Sequence, residues 1–519
     1  MRRVLVTRLT PGAEPYRVAA VPAPGPAGGL TPAELASAYG YSQAGGTGQT
    51  VGIVDAFNDP NIEADLGTFD TQYGLTACTE ANGCLKVVSQ TGSTTALPPN
   101  DTTGWSAEET LDVETVRAVC PNCHILLVET TDDTSPNLDA GVDEAVALGA
   151  KEVSNSYGSL ETSETAADQA AYKHPGVVIT AAAGDDGWFG WDNFNAFGTP
   201  DGVAYVPAAL PTVVAVGGTA LNLTQTGGRA SETVWNDDGP QDFYGGNLGV
   251  TGATGGGCST LFTAQPWQSH VAGYAATTCG TKRLVSDVAA VADPLTGFDI
   301  YDSYDYTGSG SPPGWITVGG TSLASPLVAA MWALAGGDAG AAYPSIYLYG
   351  HLGTGSLYDV TVGGNGFCDG QTAADCGVGN PNALGFGMID CDYTDTSSPG
   401  TPSSGTAQCD ATHGYDGPTG VGTPIGLSTF TPAKFGVITV PATVVAGTAA
   451  TFSASKSHDP YPGATITSMV WGWGDGSAAG KGTALPHTYA KTGTYTITLA
   501  LTDSYGMKST VTATVKVAA

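Results

Sequence analysis

The chain has 519 residues, only 13% of them charged, with 48 Asp or Glu against 17 Lys or Arg and a formal charge of -31. So acidic a surface repels phosphate backbones, which excludes nucleic acid as a partner class, and no stretch reaches the roughly 18 apolar residues of a membrane helix. Sparse charge of one sign with 74 Gly and 32 Pro suits a secreted protein in an acidic medium, and the length allows two or three domains.

Residues 1–45 are rich in Pro, Ala and Gly and read as a leader or the tail of a propeptide. Met1-Arg2-Arg3-Val4-Leu5-Val6 carries the charge of a signal peptide, but Thr7, Arg8 and Pro11 interrupt the apolar run, so a start further upstream is expected. Thr31 and Pro32 have the types that cap and open a short helix. A buried strand follows at Thr50-Val51-Gly52-Ile53-Val54-Asp55. Periodicity then predicts helices at Asn61–Tyr73, Glu108–Val119 and Leu138–Leu148. It predicts strands at His124–Glu129, Val153–Tyr157, Val177–Ala182 and Thr212–Val216. The alternation implies βαβ units and a mostly parallel sheet covered on both faces, with functional residues at strand ends. Residues 223–314 are rich in Gly, Ser and Thr and are expected to loop around the sheet.

A β-prone run, Trp315-Ile316-Thr317-Val318, leads through Gly319 and Gly320 to Thr321 and Ser322. Leu323–Ala335 then reads as an apolar helix with Pro326 in its first turn. Ser322 therefore falls at a strand-to-helix junction, where it is either a helix cap or a nucleophile beside unpaired N–H groups that favour negative charge. A subtilisin-type hydrolase would supply a base from His-Gly-Thr-His soon after the first strand, and no such motif is present. His270 lacks the Gly-Thr and lies far too late.

The segment Glu108-Glu109-Thr110-Leu111-Asp112 offers acids instead. Glu108 and Asp112 lie four apart on one helix face, either exposed or sharing a proton. Periodicity does not choose between Glu108 and Glu109. Glu114 and Arg117 read as a solvated pair on another face. A third acid, Asp185, ends the strand Val177–Ala183 at Gly184-Asp185-Asp186-Gly187; it is either a turn residue or, when protonated, a hydrogen-bond donor to an oxyanion.

Taken together, Gly320-Thr321-Ser322 with Ala324 and Pro326, Glu108 with Asp112, and Gly184-Asp185 with Gly187 resemble the sedolisins, the serine-carboxyl peptidases. The resemblance covers residues 46–430 and implies a subtilisin-like α/β fold and a secreted, acid-acting endopeptidase for polypeptide substrates. It implies Ser322 as nucleophile, Glu108 as general base, Asp112 as its orienter and Asp185 as oxyanion donor. Asn155-Ser156-Tyr157-Gly158 is similar to the edge lining that family's cleft, and Asp55 is expected to be structural or part of the carboxylate network. The resemblance further implies one structural calcium ion held by the side chains of Asp359 and Asp416 and the carbonyls of Val360, Thr412 and Gly414, oxygen ligands that suit a hard cation. Sedolisins carry a large prodomain, and only the short leader stands in that place here, which leaves zymogen control open.

Ten cysteines fall into local pairs, Cys78 with Cys84, Cys120 with Cys123, Cys258 with Cys279, Cys368 with Cys376 and Cys391 with Cys409. Such pairing predicts disulfides and an oxidising compartment. From about Val437 short alternating strands at Ala450–Ala454, Ile466–Trp473, Thr494–Thr502 and Val511–Val517 suggest a separate β-sandwich over 437–519. Its Trp471-Gly472-Trp473-Gly474-Asp475-Gly476 and His487-Thr488-Tyr489 resemble a PKD domain, an immunoglobulin-like module. The two tryptophans are expected in its core, and its role is spacing or contact with an extracellular polymer or cell surface. A monomer is expected. The alternative reading is a catalytically silent peptidase fold used for adhesion through the PKD module.

Overall fold

A computed structural model describes the backbone at residues 2–3 and 7–8, and residues 24–161, 165–188, 204–237, 252–304, 314–337, 340–366 and 407–519. In chain order its first elements are β1 (Arg2–Arg3), β2 (Thr7–Arg8), α1 (Pro32–Tyr39), β3 (Thr50–Ala56), α2 (Ile62–Tyr73), β4 (Leu85–Ser89) and α3 (Trp105–Val119). There follow β5 (His124–Thr130), α4 (Ser135–Ala147), β6 (Glu152–Asn155), β7 (Tyr157–Leu160), α5 (Ala166–Ala171), β8 (Val178–Ala182), β9 (Tyr205–Val206), β10 (Val214–Leu223) and β11 (Arg229–Val234). The peptidase-like region continues with β12 (Gly257–Thr263), α6 (Pro266–Ser269), β13 (Lys282–Val285), β14 (Val288–Val291), β15 (Phe298–Asp302), β16 (Gly314–Gly319), α7 (Thr321–Leu334) and α8 (Ile346–Tyr349).

The main sheet runs β11-β10-β8-β6-β3-β5-β4, with β14 also on β10, and every pairing except β10 with β11 is parallel. Its strands are apolar on both faces because both are covered. Ile53, Val87, Ile125 and Leu127 join one core with α3 and α7, while their neighbours Val54, Val88, Leu126 and Val128 join a second core with α4. This is the expected subtilisin-like α/β architecture. Two readings need correction. The strand expected at Thr212–Val216 runs to Leu223, because β11 extends its pairing. The region read as loops supplies β14 to the sheet, and its four residues, Val288–Val291, are too few to show a period.

The N-terminal strands lie on the edges around the serine. β1 pairs antiparallel with β7, Arg2 opposite Gly158 and Arg3 opposite Tyr157. β2 pairs antiparallel with the end of β16, Thr7 opposite Gly319 and Arg8 opposite Val318.

The C-terminal sandwich has a five-stranded sheet built on Ile466–Gly472, Gly493–Asp503 and Lys508–Ala518, and a two-stranded sheet of Ala450–Ser453 and Ala484–His487. Trp471 and Trp473 are buried in it, as expected. Its core is continuous with that of the peptidase region. Trp332 of α7 packs on Phe430 at 4.9 Å, the Tyr461 hydroxyl accepts the N–H of Ala433 at 2.9 Å, and Trp267 meets Tyr505 edge-on at 5.9 Å.

Disulfides join Cys78 to Cys84, Cys120 to Cys123 and Cys258 to Cys279. The other two expected pairs each include a cysteine outside the described residues.

Candidate active site

Ser322 is the second residue of α7, not its cap. The cap position is Gly320, at φ 104°, a left-handed value that favours glycine. All residues of α7 are buried, and Ser325 pins the helix to the sheet: its hydroxyl lies 2.9 Å from that of Ser154 on β6 and 3.0 Å from that of Thr180 on β8. The start of the helix is thereby fixed over the ends of two central strands.

α3 packs against α7. Every residue from Trp105 to Val119 is buried, so the helix face carrying Glu108 and Asp112 is not solvated. Glu114 and Arg117, expected as an exposed pair, are buried as well and turn to different partners. Arg117 Nε donates to Asp70 Oδ1 at 2.6 Å, and Glu114 Oε2 accepts the Tyr301 N–H at 2.9 Å. The helix is enclosed on all sides, which its charged sequence conceals.

Asp112 accepts from the Ser156 hydroxyl, 2.9 Å from either carboxylate oxygen, and the same hydroxyl lies 3.4 Å from the Ser322 carbonyl. Burial pushes the Asp112 carboxyl well up, with the charges of Asp55 and Glu108 adding to the rise and the Ser156 bond opposing it. Of the two adjacent glutamates, Glu108 is thus the one whose charge bears on Asp112. Glu109 turns the other way: its Oε2 accepts the Asp59 N–H at 3.3 Å, and burial with the charges of Glu129 and Asp59 raises it strongly.

Asp55 is fully buried, and burial lifts it to about 8. It connects the Asp112 side to a second acid group, in which burial raises Asp59 to about 7 and Glu129 to about 9. Sequence reading missed Asp59 and Glu129. The signal for Glu129 was the one used for Asp55, an acid closing a buried parallel strand, since the two residues stand opposite each other in register.

On the other side of Ser322, Asp185 follows the end of β8. Gly184 holds φ 115°, and a Cβ there would lie 2.7 Å from the Tyr205 ring, so only glycine lets the chain turn Asp185 toward α7. Asp185 Oδ1 accepts both the backbone N–H and the hydroxyl of Thr321, each at 2.8 Å. Asp112, Asp185 and Ser322, two of them far from α7 in sequence, are therefore gathered at one helix start, tied by Ser156 and Thr321, whose bridging bonds sequence reading did not foresee. His270 is exposed and its ring bonds the Pro266 carbonyl at 2.7 Å.

The segments expected to hold a cation also meet. β17 (Leu357–Tyr358) pairs with β18 (Thr423–Pro424), which closes the loop between them. Asp359 Oδ1 accepts the Gly414 N–H at 2.9 Å, and Asp416 accepts the N–H groups of Thr412 at 2.9 Å and Thr419 at 3.0 Å. Asp416 is buried, and burial with the nearby Asp359 charge lifts it to about 7. Among the described residues no three acidic, His or Cys side chains form a metal cluster. A donor set of two neighbouring carboxylates and the Val360, Thr412 and Gly414 carbonyls is still chemically suited to a hard cation that would offset their repulsion.

A serine at a helix start over a parallel sheet, flanked by buried carboxyl groups, belongs to the subtilisin-like class of α/β folds. Residues 90–342 match the subtilase family and residues 435–518 the PKD domain. The chain is 31% identical over 380 residues to kumamolisin from Bacillus sp. (strain MN-32), covering 69% of this chain and 61% of that protein. It is 30% identical over 394 residues to sedolisin from Pseudomonas sp. (strain 101), covering 71% and 61%. The solved structure of Pseudomonas sedolisin (serine-carboxyl proteinase) complexed with two molecules of pseudo-iodotyrostatin superposes with a TM-score of 0.55 and 26% identity, over 77% of this chain and 96% of that one. The peptidase-like region carries the subtilase-family match and is similar in sequence and fold to the sedolisins, and a PKD-domain match follows it. The chain spans about three fifths of the length of the two curated relatives.

Proposed function

We propose that the chain is a secreted serine-carboxyl endopeptidase, active in acid, that cleaves polypeptides through an acyl-enzyme on Ser322. The observation that carries this reading is the buried meeting of α3, β8 and α7, where the hydroxyls of Ser156 and Thr321 tie Asp112 and Asp185 to the residue pair Thr321-Ser322.

Glu108 takes the Ser322 hydroxyl proton as the oxygen bonds to the substrate carbonyl carbon. Asp112 holds Glu108 in place and shares its charge burden. Protonated Asp185 donates to the oxyanion as the carbonyl π bond opens. When the tetrahedral centre collapses, the C–N bond breaks and Glu108 returns the proton to the leaving amine. Water then attacks the ester in the same manner and frees Ser322. A carboxylate base must stay ionised while a carboxyl donor stays protonated, and both hold only in acid.

Polypeptide substrates fit the two backbone edges beside Ser322. Both β7 and the end of β16 carry an added antiparallel strand, β1 and β2, which is how an extended chain is held by main-chain bonds. One calcium ion, held by Asp359, Asp416 and the carbonyls of Val360, Thr412 and Gly414, belongs to this reading. It supplies structural charge balance and takes no part in bond cleavage.

The test is cleavage of denatured protein across pH 2 to 8 by the wild type, Ser322→Ala and Glu108→Ala. The expected result is a wild-type maximum in acid and loss of activity in both variants. Equal activity in all three, or a maximum above pH 8, overturns the reading.

A further inference from the structure

We infer that Thr321 is a positioning residue that fixes which oxygen of Asp185 carries the acid proton; the inference rests on the reading of Asp185 as oxyanion donor. Thr321 is the first residue of α7 and is wholly buried. Its hydroxyl accepts the Gly184 N–H at 3.1 Å and stands 2.8 Å from Asp185 Oδ1. A hydroxyl has one hydrogen. That hydrogen is donated to Asp185 Oδ1.

Oδ1 also receives the Thr321 backbone N–H at 2.8 Å. An oxygen that takes two hydrogens is the carbonyl-like oxygen of a neutral carboxyl, and the acid proton is left on Oδ2. Thr321 thus converts a symmetric group into an oriented donor. The relay from Gly184 N–H through the Thr321 hydroxyl to Oδ1 also polarises the carboxyl, so that its O–H donates more strongly. The competing structural role is helix capping. Asp185 satisfies one of the orphan N–H groups of α7, whose cap residue Gly320 has no side chain to do so.

The two roles part in the background of Asp185→Asn. An amide carries its donor on nitrogen by covalent structure, so it needs no neighbour to place a proton, whereas capping by the amide oxygen still involves Thr321. Steady-state kinetics on a peptide substrate in acid would compare the wild type, Thr321→Ser, Thr321→Val, Asp185→Asn and the double variant Thr321→Val with Asp185→Asn. Loss of one oxyanion donor costs about 10²–10³ in kcat. Losing only its orientation is expected to lower kcat by about tenfold to 100-fold with KM within about twofold. Thr321→Ser restores kcat to within about threefold, and the Val substitution changes kcat by less than about twofold when Asn is at 185. Thr321→Ala, which adds no bulk, takes the place of the Val variant if that one does not fold. An equal loss in both backgrounds, or no loss in the wild-type background, overturns the inference. Wild-type kcat in Asp185→Ala would instead remove the oxyanion reading itself.

Discussion

The peptidase-like region and the PKD domain set the charge of their carboxyl groups in opposite ways. The first holds a cluster of buried acids that burial makes neutral: Asp55 and Glu129 are pushed up to about 8 and about 9. The second keeps a carboxylate ionised. Asp475 accepts from Ser477 and lies 2.9 Å from His487 Nε2, and these partners hold it down at about 2 although burial works against them. The His487 ring in turn stacks on Trp473 at 4.3 Å. The contrast is one of cause. A carboxyl with no partner charge turns neutral when buried, and a neutral acid is what the donor role proposed for Asp185 requires. A carboxylate with a histidine beside it survives as an anion and serves only to hold strands together.

The largest expected effect tests whether the buried acids of the first region do chemistry at all. Ser322→Ala and Glu108→Gln are each expected to lower kcat by about 10⁴-fold or more, and the double variant by little beyond either one, because nucleophile and base act as a unit. Independent losses that multiply would separate Glu108 from Ser322. The matching changes in the PKD domain, at Asp475 or His487, are expected to leave kcat on a short peptide within about twofold, read in the same assay.

The next effect concerns a pair that the sequence presented wrongly. Glu114 and Arg117 sit three apart on a charged helix, the spacing of a solvated ion pair, and nothing in the residues of α3 reveals that α2, β15 and α7 close over it. Arg117 is buried against Asp70, also buried, and gives its remaining N–H groups to the carbonyls of Pro121 and Thr76. Arg117→Ala strands the Asp70 charge and is expected to cost about 3–5 kcal/mol in thermal unfolding. A loss below about 1 kcal/mol would return the pair to the surface. The parallel strands, α7 and the PKD strands were legible because their periods are set by local burial. Ser322 and Asp185 were legible as candidates because each lies at the end of an element, and Glu108 with Asp112 because their four-residue spacing puts them on one helix face. Ser156 and Thr321 acquire their bridging roles only through contacts with residues distant in sequence, Ser156 with Asp112 and Thr321 with Asp185, which no local pattern encodes.

The proposed calcium ion is expected to give a smaller effect, confined to the peptidase side of the comparison. At a free concentration about 100-fold above Kd a bound ion contributes about 2.7 kcal/mol. Chelator-treated protein is expected to gain that stability as calcium is added back, while Asp416→Ala gains nothing. A response of equal size in the variant would place the ion elsewhere.

The smallest effect separates the two regions by the sign of their response to pH. For Asp55, Asp59 and Glu129 the folded form binds protons more tightly than the unfolded one. Their contribution is complete below about pH 4, where unfolded carboxyls also protonate, and it declines as pH rises through about 7 to 9. For Asp475 the order is reversed. Its contribution is complete above about pH 4 and is lost only as pH falls through about 2. It is partly exposed and screened, so it amounts to less than about 1 kcal/mol. Hydrogen exchange on the full chain, corrected for intrinsic rates, reads both at once. Peptides from 50–59 and 105–130 are expected to lose protection from pH 4 to 8, while those from 466–503 hold steady over that range and weaken only toward pH 2. Because Phe430 and Tyr461 join the two cores, some coupling will blunt the difference, and Tyr461→Ala should sharpen it. If protection over 105–130 rose with pH instead, the buried acids would have to be ionised and compensated, and the neutral carboxyl on which the oxyanion assignment depends would lose its physical basis.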